Sequence, residues 1–309
     1  MIRGESKVEG CYRLTVMKGG KVTKQTEWFK NLITTQGLNY MGTNSTWLTA
    51  CQVGTSNTAP ANSDTALGAR VAGTTTLASA TSSTVSGSSP YYIKILKTFG
   101  FAEGVAEGVL AEVGVGTSTT GSTLFSRTLI VDGVGDPTTI TVLADETLNV
   151  EYEFRLYAPL VDVTGTITLD SVSYATTVRA LNVNTFGTSI TGWGVAPTGT
   201  IASAVFGSGL TGFYVYDGAI AAITATLPTG TAHNATSLTA APTYVADSFE
   251  EIREAVFGLD NGNFAGGIGA ASFKFGWGMY QIGFIDKIPK TSSQILKLEF
   301  KHTWARYVP

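Results

Sequence analysis

Residues 148–157 alternate apolar and polar without a break. Leu148, Val150, Tyr152, Phe154 and Leu156 fall on one face, and Asn149, Glu151, Glu153 and Arg155 on the other. A period of two marks a half-buried strand. Residues 128–131 and 138–143 are shorter β-branched runs, separated by the turn-rich Asp132-Gly133-Val134-Gly135-Asp136-Pro137. The pattern predicts three strands of one antiparallel sheet, stopped by Pro159.

The same alternation recurs on both sides. Residues 9–30 read as a hairpin turning at Gly19-Gly20. Strands are predicted at 50–54, 91–101 (Ile93, Ile95, Lys97 and Phe99 on one face) and 108–116. Further strands are predicted at 163–169, 172–181, 213–216, 220–227 (with Asp217-Gly218 as a hairpin turn) and 273–285. The last, 294–304, puts Leu296, Leu298, Phe300, His302 and Trp304 on one face. Two stretches have helical spacing instead. One is 28–42, with Asn31 as cap. The other is 248–257, where Ser248 and Glu251 match a capping box, Phe249, Ile252, Val256 and Phe257 form an apolar stripe, and Gly258 follows as terminator. A single helical turn over Ala66-Leu67 is also consistent with Ser63-Asp64 as its cap. Residues 74–90 and 228–242 are Thr/Ser/Ala/Gly-rich and read as loops. The expected fold is all-β, with antiparallel β-sandwich domains at 1–159 and 160–309 and two short helices.

Composition narrows the function. Charged residues are only 14% of the 309, against 43% hydrophobic, where about 25% charged is usual. A core is affordable, and the surface is left to Ser, Thr, Gly, Ala and Asn, which suits permanent assembly. With a net charge of −3 and scattered Lys and Arg, nucleic acid is not an expected partner. Cys11 and Cys51 are the only cysteines, leaving either one bridge or two buried thiols. No apolar segment follows Met1 as a signal peptide would, and the apolar run 218–227 is too short to span a bilayer. The expectation is synthesis in the cytosol without a membrane partner.

Candidate chemistry is sparse. His302 lies on an apolar strand face and His233 in a polar loop, and the Gly-x-Ser-x-Gly elbow of a nucleophilic serine is missing. Glu151 and Glu153 share one strand face at a spacing a glycoside hydrolase could use; the plainer reading pairs them with Arg155. Asp132–Asp136 and Asp260-Asn261-Gly262-Asn263 resemble calcium-loop fragments but lack the remaining ligand spacing. Gly114-Val115-Gly116 lacks the Gly-Lys-Ser/Thr of a phosphate loop. Trp193, Phe206, Phe213, Tyr214, Tyr216, Phe273, Phe275, Trp277 and Tyr280 crowd the second half and offer either sugar-stacking surface or packing. No catalytic residue, cofactor or metal ligand is assigned, and an enzyme is not expected.

Three stretches carry a resemblance. NLITTQGLNYMG (31–42), VGTSNTAPANSDTALG (53–68) and EVGVG…LFSRTLI (112–130) resemble bacteriophage tail-fibre and tail-appendage proteins, as does the closing IDKIPKTSSQILKLEFKHTWAR (285–306). Residues 160–270 carry no such likeness. The resemblance implies a structural virion component, homo-oligomeric, in a collar, connector-proximal or baseplate position, attached to neighbouring tail or fibre proteins. A capsid decoration protein and a carbohydrate-binding receptor-recognition tail protein are the alternatives.

Overall fold

The computed structural model describes residues 1–43, 47–80, 82–185, 213–239, 243–274 and 278–308. The chain opens with β1 (Ile2–Lys18), β2 (Lys21–Gln25), β3 (Phe29–Lys30), β4 (Leu32–Ile33) and α1 (Thr35–Thr43). Then come β5 (Ala50–Gly54), β6 (Arg70–Thr74), β7 (Ser82–Val85), β8 (Tyr92–Phe101), β9 (Gly108–Leu110), β10 (Glu112–Gly116) and β11 (Leu124–Leu129). The middle holds β12 (Ile140–Val142), β13 (Thr147–Tyr157), β14 (Val163–Leu169), β15 (Val172–Ala180), β16 (Phe213–Tyr216) and β17 (Ala232–Asn234). The chain closes with β18 (Ser237–Leu238), β19 (Glu250–Phe257), β20 (Ile268–Lys274), β21 (Met279–Ile288) and β22 (Leu296–Arg306).

The fold is all-β, and one sheet organises it. Its order is β18-β19-β22-β1-β13-β8-β7, with β2 and β3 also on β1. The closing strand β22 runs parallel to the opening strand β1, Ile2 beside Phe300 through Val8 beside Arg306. β1 then pairs antiparallel with β13 over eleven residues. Even-numbered side chains of β1, β13 and β22 share one face: Tyr12, Tyr152, Phe154, Phe300, His302 and Trp304 are all buried there.

Two smaller sheets pack against residues of that face. The five-stranded sheet β4-β11-β10-β5-β6 packs where Phe125 meets Phe154 and Trp47 at 5.9 and 4.4 Å. The six-stranded sheet β14-β15-β21-β20-β16-β17 packs where Phe273 meets Phe300 at 4.5 Å. Helix α1 is tied to the closing strand, since Trp304 donates from its indole N–H to the carbonyl of Leu38. The large sheet therefore continues across residue 160, and the 159/160 division runs through it.

Several expected elements differ, and pairing explains each case. Residues 250–257 form strand β19 instead of a helix. A helix there would leave one edge of β22 without a partner, whereas β19 pairs with it from Glu250–Thr303 to Phe257–Leu296. Asp247 and Phe249 adopt positive φ, and the Ser248 hydroxyl donates to the carbonyl of Val245 instead of forming a capping box. The fold thus has one helix among the described residues, capped by Thr34, whose Oγ1 accepts from the N–H of Gly37 at 3.0 Å. Asn31 instead sits in the chain between β3 and β4, donating to the Tyr152 hydroxyl.

The three strands of 124–159 fall in three different sheets. β11 pairs with β10, β12 with β9, and β13 with β1 and β8. The run 108–116 breaks at Ala111 into β9 and β10, and the expected strand 273–285 falls on β20 and β21, which pair antiparallel, with 275–277 outside the described residues. Residues 220–227 form no strand; β16 pairs instead with β17, inside the segment expected to be loop. Likewise β7 lies within the expected 74–90 loop and lengthens the large sheet beyond β8.

Candidate functional site

A buried cluster of charged side chains lies in the five-stranded sheet. In β10 and β11, Glu112 stands opposite Leu129 and Gly114 opposite Arg127, which places Glu112 and Arg127 diagonally on one sheet. Glycines 54 and 114 flank them without side chains; a Cβ on Gly54 would come within 2.5 Å of both Glu112 Oε1 and the Ala69 carbonyl. Bare backbone there lets the 55–69 segment lie close against the strands.

That segment is bound by charge. Glu112 is fully buried and accepts from Arg127 Nε (2.9 Å) and from the backbone N–H groups of Ser56 (3.3 Å), Gly68 (3.0 Å) and Ala69 (2.7 Å). Arg127, also buried, reaches Asp64 with Nη1 (2.5 Å) and the Thr58 carbonyl with Nη2 (2.9 Å). Asp64 also accepts from the Ala61 N–H at 2.8 Å. Two further main-chain bonds tie the segment to α1 and β11, Thr35 N–H to Asn62 O and Leu124 N–H to Thr65 O. Asp64 serves this clamp; no helical turn forms over Ala66-Leu67. The outer side of the loop, including Thr55, Asn57, Thr58, Asn62 and Ser63, is exposed. A buried, multiply bonded ion cluster fixes geometry more than it adds stability. It holds an uncharged Thr/Asn/Ser surface in one shape.

The remaining candidate residues are placed elsewhere. His302 shares a buried network with Ser6 and Tyr280: Ser6 Oγ lies 2.9 Å from His302 Nε2 and 2.9 Å from Tyr280 Oη, and Tyr280 donates to the Glu5 carbonyl. Burial pushes His302 down to about 3. A serine and a histidine do meet, but both are sealed from solvent, so a substrate has no access. Glu251 stands opposite His302 across β19 and β22, 2.9 Å from Arg253, and burial raises it to about 7. His233 accepts at Nδ1 from the Gly262 N–H and rests against Phe264.

Glu151 and Glu153 are each committed to cations. Arg13 clasps Glu151 through two bonds of 2.5 and 2.8 Å while lying over Trp28. Glu153 is nearly buried and takes Lys94 at 2.9 Å and Arg155 at 2.6 Å. Arg155 and Lys30 also reach Glu9. This is a lattice of ion pairs on the face of β1, β13 and β8 turned away from the sandwich.

The two calcium-like stretches are turns: Asp132 accepts from the N–H groups of Val134 and Asp136, and Asn261 and Gly262 bond to Asn234 and His233. Among the described residues no cluster of three or more His, Cys, Asp or Glu is placed to hold a metal. Gly114–Gly116 lies within β10. Cys11 and Cys51 are both free and buried; burial, with Glu9 and Glu153 nearby, raises Cys11 to about 11 and lowers its reactivity.

Of the aromatics considered for sugar stacking, Phe213, Tyr216, Phe273 and Tyr280 are core and Tyr214 is half-buried. Trp193, Phe206, Phe275 and Trp277 lie outside the described residues. A cleft of about 190 Å³ opens between β1 (Arg3, Gly4) and the β14–β15 hairpin (Val163, Val178), smaller than the roughly 300–1,000 Å³ of ordinary ligand pockets.

Sequence reasoning missed the Glu112–Arg127–Asp64 cluster, because its members are spread over 64 residues of chain and carry no mutual spacing signal. Comparison with family models, with curated proteins and with solved structures finds no match.

Proposed function

We propose that this chain is a structural protein of a bacteriophage tail: a tail appendage, collar or head–tail junction component in the virion, assembled in the host cytoplasm. Its work is mechanical. It associates with copies of itself and attaches neighbouring tail or fibre proteins, and it needs neither a cofactor nor a catalytic residue.

The observation that carries this reading is the clamp. Asp64, from one of the stretches that resemble tail-appendage proteins, and Glu112 and Arg127, from another, meet at one point. What they do there is hold an uncharged loop in a single outward-facing shape. Such a surface loses little solvation on docking and pays little ordering entropy, which favours lasting contact with a neighbour. The exposed Leu160, Val161, Val172 and Ile285 add apolar area that an assembly would cover.

An antibody raised against the purified chain tests the reading on particles from the source lysate, viewed by negative-stain electron microscopy. Labelled tails are the expected result. Label confined to heads would replace this reading with capsid decoration, and particles without label would overturn it.

A further inference from the structure

Strand β14 ends the six-stranded sheet, and among the described residues no strand pairs with its outer edge. It joins β15 through a two-residue turn in which Asp170 and Ser171 both have positive φ (47° and 67°), the geometry of a tight hairpin. In such a hairpin Leu169 and Val172 are the hydrogen-bonded pair. Val163, Gly165, Ile167 and Leu169 therefore bond to β15, and Thr164, Thr166 and Thr168 turn their N–H and C=O groups outward. No main-chain bond to the described chain uses those six groups.

Sheet edges are normally blunted by charge, proline or shortness, because an open edge is a template for another strand. The other edges here follow that rule. β2 carries Lys21 and Lys24, β6 begins with Arg70, β7 has four residues, and β17 and β18 have three and two. β14 has seven residues, Val-Thr-Gly-Thr-Ile-Thr-Leu, with neither a charge nor a proline.

We infer that β14 is a self-association edge, pairing antiparallel with β14 of a second copy about a two-fold axis at Thr166. This rests on the assembly reading above and names the contact by which copies would meet. The occupant follows from length and chemistry: among the described edges of this chain, only β14 itself matches a seven-residue uncharged strand. The strand is also self-complementary. Centred on Thr166, Thr164 faces Thr168 of the second copy, Gly165 faces Ile167, and Val163 faces Leu169. Hydroxyls meet hydroxyls on one face and aliphatics meet on the other, both favourable cross-strand pairs. The six outward groups of each copy are satisfied together. The flanking Asp162 would face Asp170 of the second copy, but Arg179 already neutralises it through bonds of 2.8 and 2.7 Å. A two-fold contact of this kind closes on itself.

The test uses the full chain in sedimentation velocity and in oxidative cross-linking. Thr166 is exposed, so Thr166→Lys leaves the fold intact by circular dichroism while setting two ammonium groups face to face on the axis. Wild type should associate in even multiples of the chain mass, and Thr166→Lys should weaken that association by about tenfold or more. Ser82→Lys, at an exposed position on the β7 edge, should leave it unchanged. In the pairing proposed, residue 166 faces itself at about 5.5 Å between Cα atoms, within disulfide reach. Thr166→Cys should therefore cross-link copies, and Thr164→Cys alone should not. Wild type, whose two cysteines are buried, is the blank. Association that survives Thr166→Lys, or cross-linking at Thr164→Cys but not at Thr166→Cys, would overturn this edge while self-assembly stood. A wild-type monomer at all concentrations would overturn both, and open-ended aggregates without a fixed mass would overturn the two-fold.

Discussion

At the scale of single residues the protein uses its few charges for fixing shape. Glu112 and Arg127 are buried together, so removing one strands the other. Arg127→Ala should cost about 3–5 kcal/mol in urea denaturation. It should also release the 55–69 loop, read as new protease cleavage there under native conditions. Stability loss without new cleavage would mean that the main-chain bonds alone hold the loop.

His302 sets a pH dependence. Burial holds its folded pKa at about 3, below the 6.5 of a free imidazole. Between those values the unfolded chain holds the extra proton, so its contribution is complete above pH 6.5 and is lost as pH falls toward 3. Glu251 acts with the opposite sign. Raised from 4.5 to about 7, it binds its proton more tightly when folded, and it lowers stability as pH rises through that window. A His302→Gln variant isolates the first effect. Its stability should fall less than wild type between pH 6.5 and 4, by up to about 3 kcal/mol; parallel curves would refute the assignment.

Residue-scale legibility was uneven. Lys97 was visible in the sequence on the apolar face of its strand. The structure keeps it there, bonded to the Leu48 carbonyl, with burial lowering its pKa to about 8. The clamp was not visible, because its residues meet only after β10 and β11 have paired.

At the scale of elements, packing overrides local preference in both directions. The 248–257 segment has a helical stripe and a capping sequence, yet it becomes β19 because β22 needs a partner on that side. Once there, Ala255 and Phe257 bury inward, and Glu250 and Glu254 pair outward with Lys301 and Lys297. Ser248→Ala should therefore change stability by less than about 0.5 kcal/mol, against the ~1 kcal/mol of a true cap.

Helix α1 shows the reverse. Gly37 looks like a weak point that alanine would improve by up to ~1 kcal/mol. A Cβ at Gly37 would lie 2.0 Å from the Phe125 carbonyl oxygen, where α1 presses on β11. Gly37→Ala should instead destabilise by about 1–3 kcal/mol, measured as a drop in the denaturant midpoint. A rise in midpoint would show that the helix can lift off the strand.

At the scale of the whole molecule, one sheet joins the first strand to the last. β22 sits between β1 and β19, so deleting residues 296–309 would leave β1 with an open edge and separate β18 and β19 from the rest. The truncated chain should fail to fold cooperatively, and the intact protein should unfold in one transition with both halves together. Two resolved transitions, or a folded truncated chain, would show that the parts before and after residue 160 are independent. Pairing across some 300 residues also makes folding slow, since the loop must close before its contacts form.

Local patterning is enough to make the chain all-β, to mark which faces of β8, β13 and β22 are buried, and to make those faces apolar enough for a large core. Period-two alternation records these things directly, because it is a property of each strand alone. Which strands become neighbours emerges once the chain has folded. Alternation assigns a face but names no partner, and a parallel contact between the two ends of the chain leaves no local trace. For the same reason it took the fold to turn a capping sequence into a strand. It also brought Asp64, Glu112 and Arg127 together, and left β14 as the one long uncharged edge among the described strands.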